Sequence, residues 1–380
     1  MTHIETVEPD PRADVRSGTV HPRHTPKLFG QSDAEATFLA AWTGGRRHHA
    51  WMIKGPEGIG KATLAWRIAR FVMANEPQTD GLFGAPDAPA NLEIAPDHPV
   101  SRRVDALSEP RLLSITRPWD AQAKRFKAAI TVDEVRRIAG FFALSVPDGG
   151  HRVVIVDAAD EMNTNAANAL LKTLEEPPSN TLILLVTHRP SRLLPTIRSR
   201  CRTLVCTPLG PEDLGNALAQ AEVDPGTAAA PLAALSEGSV GQALELLETD
   251  GLALYAELVG LIAEAPAVDR ARAIALAESV AGRGKEVRLK LLTRMIETLL
   301  ARMALSGAGR PPDPEAAPDE RQILARLSPG PVASRRWAET QQALSARAAH
   351  ALAVNLDPAT LILDTLLKIN ETAQDIQSGR

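Results

Sequence analysis

The stretch GPEGIGKATLAW, residues 55–66, decides the fold. Gly55, Gly58 and Gly60 precede Lys61, and apolar residues at helical spacing follow it. Glycines leave backbone N–H groups free to point at phosphate oxygens, and a helix that starts there adds the positive end of its dipole. Lys61 would neutralise the outer phosphates. Because a short apolar strand leads into the loop, the pattern predicts a phosphate-binding loop of the P-loop type rather than an isolated tight turn.

Further strand and helix patterns alternate on both sides of this loop. Helical spacing begins after Ser32, follows the loop, starts again at Thr131 and runs through Ala166 to Leu174. Segments typical of buried strands lie at 50–53, 112–115, 151–160, 181–186 and 203–206, and the third of them ends in carboxylates. Strands that alternate with helices on one chain predict a parallel sheet covered by helices on both faces.

Strand patterns end before Pro211, and only helical runs follow. The sequence therefore predicts an α/β domain of the P-loop type over residues 25–208, with a helical domain over 209–266 and a second one over 267–380. Residues 1–24 are polar and proline-rich, which is typical of a flexible leader. Residues 75–110 show no periodicity and are expected to form an irregular insertion in the α/β domain.

Composition narrows the class of protein. The chain has 380 residues, 44% of them hydrophobic but only 3% aromatic, which favours helices over an all-β fold. The net charge of −4 argues against a generic polyanion binder, although it leaves a local basic face open. No apolar run reaches the roughly 18 residues of a membrane span, and the start does not resemble a signal peptide. Cys201 and Cys206 are too few for a disulfide framework and are expected to be reduced core thiols. We therefore expect a cytoplasmic protein.

Hydrolysis is expected to be absent. Ala62 stands where such loops carry Ser or Thr to hold Mg²⁺, and Thr63 lies about 100° further around the helix. Asp157 ends the strand at which a metal-binding acid is expected, but the next residue is Ala158 instead of a water-activating Glu. Asp160 is expected on the turn that follows, away from a γ-phosphate. Weak binding of ATP or ADP by the loop stays open.

Two longer segments carry a resemblance to a known family. NALLKTLEEPP, residues 168–178, and LLVTHRPSRLLPTIRSRC, residues 184–201, resemble the clamp-loader branch of the AAA+ ATPases. Together with HPRHTPKLFGQ at 21–31, they are similar to the delta-prime type of subunit of the bacterial DNA polymerase III clamp loader. The resemblance implies an AAA+ module, then a helical lid over 209–266 and an all-α collar over 267–380 that joins five subunits in a ring.

The resemblance also assigns roles to single residues. It implies that Arg200, in Ser199-Arg200-Cys201, reaches the nucleotide of a neighbouring subunit as an arginine finger; a solvated basic edge is the alternative. Thr187 occupies the place of a sensor at a strand end, and Gly241 stands where active relatives have a sensor arginine. The nucleotide site would then be vestigial, built from Gly55, Gly58, Gly60, Lys61, Thr63, Asp157 and Thr187.

The insertion departs from the family pattern. Many relatives carry a four-cysteine zinc module there, but residues 75–110 contain no cysteine, so we expect neither zinc nor another metal. Two basic stretches could face DNA: RRHH at 46–49, and Lys124, Arg125 and Lys127; solvated loop charges are the alternative for both. Only Phe126 lies among the second group, so stacking of bases is not expected.

The expected function is that of a non-hydrolysing clamp-loader subunit within the DNA polymerase III holoenzyme. Its partners would be gamma/tau motor and delta subunits in a hetero-oligomeric ring, with the sliding clamp and primed DNA reached through that complex. It would require no cofactor of its own. The alternatives are an active AAA+ motor subunit and a free-standing DNA-binding regulator, and the acidic net charge disfavours the second.

Overall fold

The computed structural model describes residues 13–14, 20–45, 47–75, 89–143, 150–282, 284–353 and 356–379. Most of the predicted leader, residues 76–88 of the insertion, and Arg46 of the RRHH stretch lie outside these ranges. The chain divides into two compact units, one comprising residues 1–223 and 239–241, the other 224–238 and 242–380. The finer division into a lid and a collar stays a prediction.

The first unit is built on a parallel sheet. Its strands are β1 (Ala50–Lys54), β2 (Leu112–Ile115), β5 (Arg152–Asp157), β6 (Thr181–Thr187) and β7 (Arg202–Val205), and the short antiparallel strands β3 (Trp119–Asp120) and β4 (Arg125–Phe126) pair separately. The five-stranded sheet has the order β2-β5-β6-β1-β7. Four predicted strands are present to within about a residue, and the segment predicted at 151–160 is a strand only as far as Asp157. The predicted parallel α/β fold is confirmed.

Helices cover both faces of this sheet. They are α1 (Ser32–Thr43), α2 (Lys61–Ala74), α3 (Pro99–Asp105), α4 (Val132–Ala143), α5 (Thr164–Glu175), α6 (Pro195–Arg200) and α7 (Pro211–Gln220). Alternate residues of the central strands enter two separate cores: Trp51 and Ile53 pack with α1 and α2, whereas Ala50 and Met52 pack with α4, α5 and α6. All seven residues of β6 are buried, because a strand between two helical layers has no solvent face.

The insertion is not irregular throughout. Helix α3 forms within it, although the sequence shows no periodicity there. His98 caps this helix by accepting a hydrogen bond from the Val100 backbone N–H at 3.2 Å, and Pro99 occupies its first position. A seven-residue helix is too short to show a periodic pattern, so its start depends on such capping chemistry.

In its described part, the second unit contains helices and connecting loops but no strand. Its helices are α8 (Ala229–Leu235), the portion of α9 (Val240–Glu248) from Gln242, α10 (Gly251–Ile262), α11 (Arg270–Glu278), α12 (Glu286–Gly307), α13 (Glu320–Leu327), α14 (Pro331–Ala353) and α15 (Pro358–Ser378). Helix α12 packs along α14 and also contacts α10 and α13, while α15 packs against α11 and α14. The long helix α12 is therefore central to this unit.

A buried polar network joins three elements of the second unit. Glu320, at the start of α13, accepts hydrogen bonds from the Tyr255 hydroxyl at 2.6 Å and from Arg302 Nε at 2.6 Å. Its other oxygen accepts from the Ala316 backbone N–H at 2.7 Å. Every oxygen of this fully buried carboxylate therefore has a partner, as a buried charge requires.

No helix in the described ranges is both long and apolar enough to cross a membrane.

Candidate functional site

The glycine loop connects β1 to α2 at the carboxyl end of the sheet. Gly55 has φ +154°, and a Cβ there would lie 2.5 Å from the Cys206 carbonyl oxygen. Gly58 has φ +77°, and a Cβ there would lie 2.2 Å from Ser239 Oγ. Both positions therefore require glycine, for backbone conformation and for space. The loop has the strand–loop–helix placement that the sequence predicts for phosphate binding.

Gln31 holds the loop in place, a role that sequence reasoning missed. Its side-chain amide, which is buried, donates to the Ile59 carbonyl at 3.0 Å and to the Thr207 carbonyl at 2.8 Å, and its oxygen accepts from the Thr207 N–H at 3.1 Å. One side chain thus ties the loop to the segment after β7. A lone Gln before a helix carries no signal of this role, because its partners are far away in sequence.

Lys61, the first residue of α2, is turned back onto its own loop. Its ammonium group donates a hydrogen bond to the Pro56 carbonyl oxygen, and the residue is only 3% exposed. Burial lowers the pKa of Lys61 to about 8, although the nearby Asp157 carboxylate opposes this shift. The ammonium group could neutralise a phosphate, but it would first have to leave the Pro56 carbonyl.

Asp157 ends β5 in a buried position. Burial raises the pKa of Asp157 to about 7; the carboxylate of Asp14 adds to this shift, and Lys61 opposes it. Asp14 itself accepts a hydrogen bond from His21 at 3.1 Å. Cation binding by Asp157 therefore competes with protonation near neutral pH. The next residue, Ala158, is buried and has no group that could activate water.

Asp160 has a structural role at the end of the neighbouring strand. Its two carboxylate oxygens accept hydrogen bonds from the backbone N–H groups of His188 at 2.9 Å and Arg189 at 3.2 Å. Although burial acts in the opposite direction, these bonds and the Thr187 side chain lower the pKa of Asp160. Thr187 is fully buried at the carboxyl end of β6. The carboxylate thus supports the strand end that carries Thr187.

The other predicted site positions lie on helices near the loop. Ala62 and Thr63 are in the first turn of α2, and Thr63 is buried. Gly241 is in the first turn of α9, where the preceding Val240 donates its N–H to the Gly58 carbonyl at 3.0 Å. The segment that contains Gly241 therefore contacts the loop, and glycine brings no side chain there.

Arg200 lies apart from these residues, at the last position of α6. Its guanidinium makes an ion pair with Glu175, 2.8 Å from Nη2 to Oε1, and Nη1 donates to the Thr196 carbonyl at 3.0 Å. The side chain remains 37% exposed. Two donors are thus engaged within the chain, and the others can meet a bidentate acceptor such as a phosphate or carboxylate.

The second basic stretch differs from its sequence interpretation. Phe126 is not the only aromatic side chain there, because β3 and β4 pair and place Trp119 5.0 Å from it, ring centre to ring centre. Phe126 is still the one aromatic among the three basic residues, but it has an aromatic partner on the opposite strand that the sequence did not predict. The seven-residue separation hid the pair, since a two-residue strand has no periodic pattern.

Comparison with known proteins finds similar proteins for the α/β part. Residues 30–210 match the family described as "DNA polymerase III, delta subunit". DNA polymerase III subunit delta' of Pseudomonas aeruginosa is 40% identical over 205 residues, which are 53% of this chain and 57% of that protein. The Escherichia coli K12 subunit delta' is 34% identical over 56% of this chain and 58% of that protein.

A more distant relative is the DNA polymerase III subunit gamma/tau of Mycobacterium tuberculosis H37Rv. It is 29% identical over 46% of this chain and 27% of its own length. The chain spans little more than half the length of the two delta' relatives that it matches. The family match over residues 30–210 contains the glycine loop, Asp157 and Arg200. Over this α/β region, the chain is similar to DNA polymerase III delta' subunits.

Proposed function

We propose that this protein is a non-hydrolysing subunit of a DNA polymerase III clamp loader and supplies Arg200 in trans to the ATP site of a neighbouring subunit. One observation carries the proposal: the loop keeps its phosphate-binding shape, while the positions for metal ligand, water activation and phosphate sensing hold Ala62, Ala158 and Gly241. A chain that conserves the shape and lacks these three groups is suited to assembly rather than turnover.

The arginine supports the second half of the proposal. Arg200 is partly exposed, and an anion could take the place of its contacts with Glu175 and the Thr196 carbonyl. A guanidinium that meets the transferring phosphoryl group from outside stabilises the charge that develops on it, and such arginines contribute about 10³–10⁵-fold to turnover in other phosphoryl-transfer systems. Supplied in trans, this contribution makes hydrolysis depend on correct assembly.

The proposed partners follow from the family. They are gamma/tau-type motor subunits and a delta subunit in a ring, which would open a sliding clamp around primed DNA. The similarity to subunits of DNA polymerase III, named delta' and gamma/tau, is the reason to test these partners first. No nucleotide of its own is required for this role, although the loop could still hold ATP or ADP weakly.

The first experiment uses the purified full chain alone. We expect no ATP turnover above background, and none in an Ala62→Thr variant, since one restored hydroxyl leaves the other two groups missing. Turnover that depends on Lys61 would contradict the proposal and favour an active motor subunit.

The second experiment mixes the chain with motor and delta subunits. We expect a stable complex by size-exclusion chromatography, and Arg200→Ala should leave it intact while slowing DNA-stimulated hydrolysis by the motor by about 10³-fold. Arg198→Ala, on the same helix and exposed, is the matched control and should have little effect. Unchanged turnover in Arg200→Ala would refute the trans role.

A further inference from the structure

A basic hairpin projects from the α/β unit between β2 and α4. We define it as residues 117–127, RPWDAQAKRFK, which include four basic residues and one acidic residue. Strands β3 and β4 form its two arms, with Trp119 opposite Phe126 and Asp120 opposite Arg125. A two-stranded hairpin on its own is only marginally stable in water, so an ordered one needs further contacts.

Cross-strand contacts order the arms of the basic hairpin. The rings of Trp119 and Phe126 meet edge to face at 5.0 Å, and the Arg117 guanidinium lies 5.8 Å from the Phe126 ring centre. Lys127 donates its backbone N–H to the Pro118 carbonyl at 2.9 Å, which extends the ladder by one bond. Both aromatic side chains are half-buried by these contacts, so they stiffen the hairpin.

The base of the basic hairpin is anchored to the turn after β5. Arg117 pairs with Glu161 at 2.8 Å, and the Ile130 N–H donates to the Glu161 carbonyl at 2.9 Å. Asn163 then donates its N–H to the Ile130 carbonyl at 3.1 Å. The hairpin is therefore fixed at the carboxyl edge of the sheet, the same edge from which the glycine loop emerges.

The single acid of the basic hairpin is used by its turn. The Asp120 carboxylate accepts hydrogen bonds from the backbone N–H groups of Gln122 at 3.1 Å and Ala123 at 3.0 Å. Lys124 completes the turn with φ +47°, a left-handed conformation that glycine or asparagine adopts more readily than lysine. The turn thus carries a cation at a position where backbone geometry favours another residue.

Three cations of the basic hairpin are left for a ligand. Lys124, Arg125 and Lys127 are exposed, and no side chain in the described ranges forms an ion pair with them. They lie within four residues of one another on an ordered support. Because the aromatic rings are half-buried, the surface offers charge rather than a free stacking face, which suits closely spaced phosphates better than bases.

We propose that the basic hairpin binds the phosphate backbone of nucleic acid through Lys124, Arg125 and Lys127, without reading base sequence. An acidic protein surface is the competing occupant, but a nucleic-acid strand presents a denser and more regular row of negative charge. The inference rests on the proposed function only in naming DNA as the occupant. Its test uses this chain alone, so the two can fail separately.

The test is fluorescence anisotropy of labelled single-stranded, duplex and primed oligonucleotides with the full chain at 50–200 mM salt. The key variant changes Lys124, Arg125 and Lys127 to Gln; the matched control changes Lys285, Lys290 and Arg310, which are exposed cations of the second unit. Three phosphate contacts predict that the triple variant flattens the slope of log K against log salt by about 2.7 for duplex and about 2.1 for single strands.

The triple variant could lose DNA binding because it misfolds, so a single substitution that favours folding is tested as well. Lys124→Gly suits the left-handed backbone of the turn, so it should fold at least as well as the wild type. It removes one charge and should flatten the duplex slope by about 0.9. The control variant should keep the wild-type slope, and changing the oligonucleotide sequence at constant length should leave affinity within about twofold of its original value.

Several outcomes would overturn the proposal. They are no binding by the wild type at 50 mM salt, equal slopes for the wild type and the triple variant, or a strong dependence on base sequence. A triple variant that binds oligonucleotides normally but fails to join the other subunits would make the hairpin a protein contact. The two proposals can be told apart. If the triple variant behaves as expected but Arg200→Ala leaves hydrolysis by the motor unchanged, the trans role of Arg200 fails; if Arg200→Ala slows hydrolysis but the triple variant binds DNA like the wild type, the hairpin proposal fails.

Discussion

Arg200 and Glu175 form an ion pair of 2.8 Å between the last residues of α6 and α5. Both side chains are more than a third exposed, and the Thr196 carbonyl gives Arg200 a second contact. The arginine is therefore held on its own chain in a defined direction, by contacts weak enough for a phosphate to displace.

Glu175→Gln should have a much smaller effect than Arg200→Ala. A partly exposed ion pair contributes about 0–1 kcal/mol, which corresponds to at most about a fivefold change in any equilibrium it controls. We expect hydrolysis by the assembled motor to stay within that range and the unfolding midpoint of this chain to change little. Glu176→Gln, at the adjacent exposed position, is the control. A defect as large as that of Arg200→Ala would place the Glu175 carboxylate in the catalytic machinery.

Gly58→Ala should destabilise the first unit. The new Cβ would meet Ser239 Oγ at 2.2 Å in a backbone conformation with φ +77°. Gly45→Ala separates the two causes, because Gly45 has φ +72° but no atom within 4 Å of a Cβ. We expect a loss of about 1 kcal/mol at Gly45 from backbone strain and at least about 1 kcal/mol more at Gly58. Urea unfolding measures the free energy of unfolding of both variants. Equal losses would mean that the Ser239 side chain can move away from the new Cβ at no cost.

Lys61→Met should stabilise the nucleotide-free protein at pH 7. Burial lowers the pKa of Lys61 from 10.5 to about 8, so the folded state holds the charged ammonium less favourably than the unfolded state does. At 1.36 kcal/mol per pKa unit the shift corresponds to about 3 kcal/mol, and the gain should be smaller than this because the bond to Pro56 is lost. Lys61→Arg keeps the charge and should bring no gain.

The lowered pKa of Lys61 should also change how the free energy of unfolding depends on pH. Between pH 8 and 10.5 the unfolded state binds more protons than the folded state, so this residue makes the free energy of unfolding rise with pH. Lys61→Met should lack that rise. Denaturant unfolding of both proteins across this range tests it, and parallel curves would contradict the assignment of the buried ammonium.

Glu320→Gln should destabilise the second unit strongly. It removes the charge that pairs with Arg302 and leaves the buried guanidinium without its counter-ion, which typically costs about 3–5 kcal/mol. Glu278→Gln, at an exposed position of α11, should change the free energy of unfolding by less than about 0.5 kcal/mol. A loss of stability as small as that of the control would show that the bonds between Glu320 and its partners do not form in solution.

Acidification should weaken the network around Glu320 and lower the stability of the second unit. Burial opposes the ionised form of Glu320, but the hydrogen bond from Arg302 prevails, and the pKa of Glu320 is lowered from 4.5. Its contribution is therefore complete above pH 4.5 and is lost as the pH falls through the folded-state value. The wild type should lose more stability than Glu320→Gln on acidification below pH 4.5, and thermal unfolding followed by circular dichroism measures the difference.

Local patterns were sufficient for the sheet and the glycine loop. The buried strand Thr181–Thr187 has an unbroken apolar run between its two threonines, and the loop carries its own sequence signature. Helix α3 was not predictable, because its start depends on the His98 cap and it has too few residues for periodicity. Gln31 was missed for a different reason: its partners near Ile59 and Thr207 become neighbours only after folding.

The sequence by itself determined the parallel α/β fold, the glycine loop with Ala62 after its lysine, Ala158 at the end of a strand, and the similarity of the region around Arg200 to a known family. Those features are encoded by residues close together in the chain, where periodicity and motif spacing operate. Only the tertiary structure decided that Arg200 pairs with Glu175, that Trp119 meets Phe126, and that Asp14 lies near Asp157. Each of these relationships joins residues from different segments, and no local pattern of charge or hydrophobicity specifies which distant side chain becomes the partner.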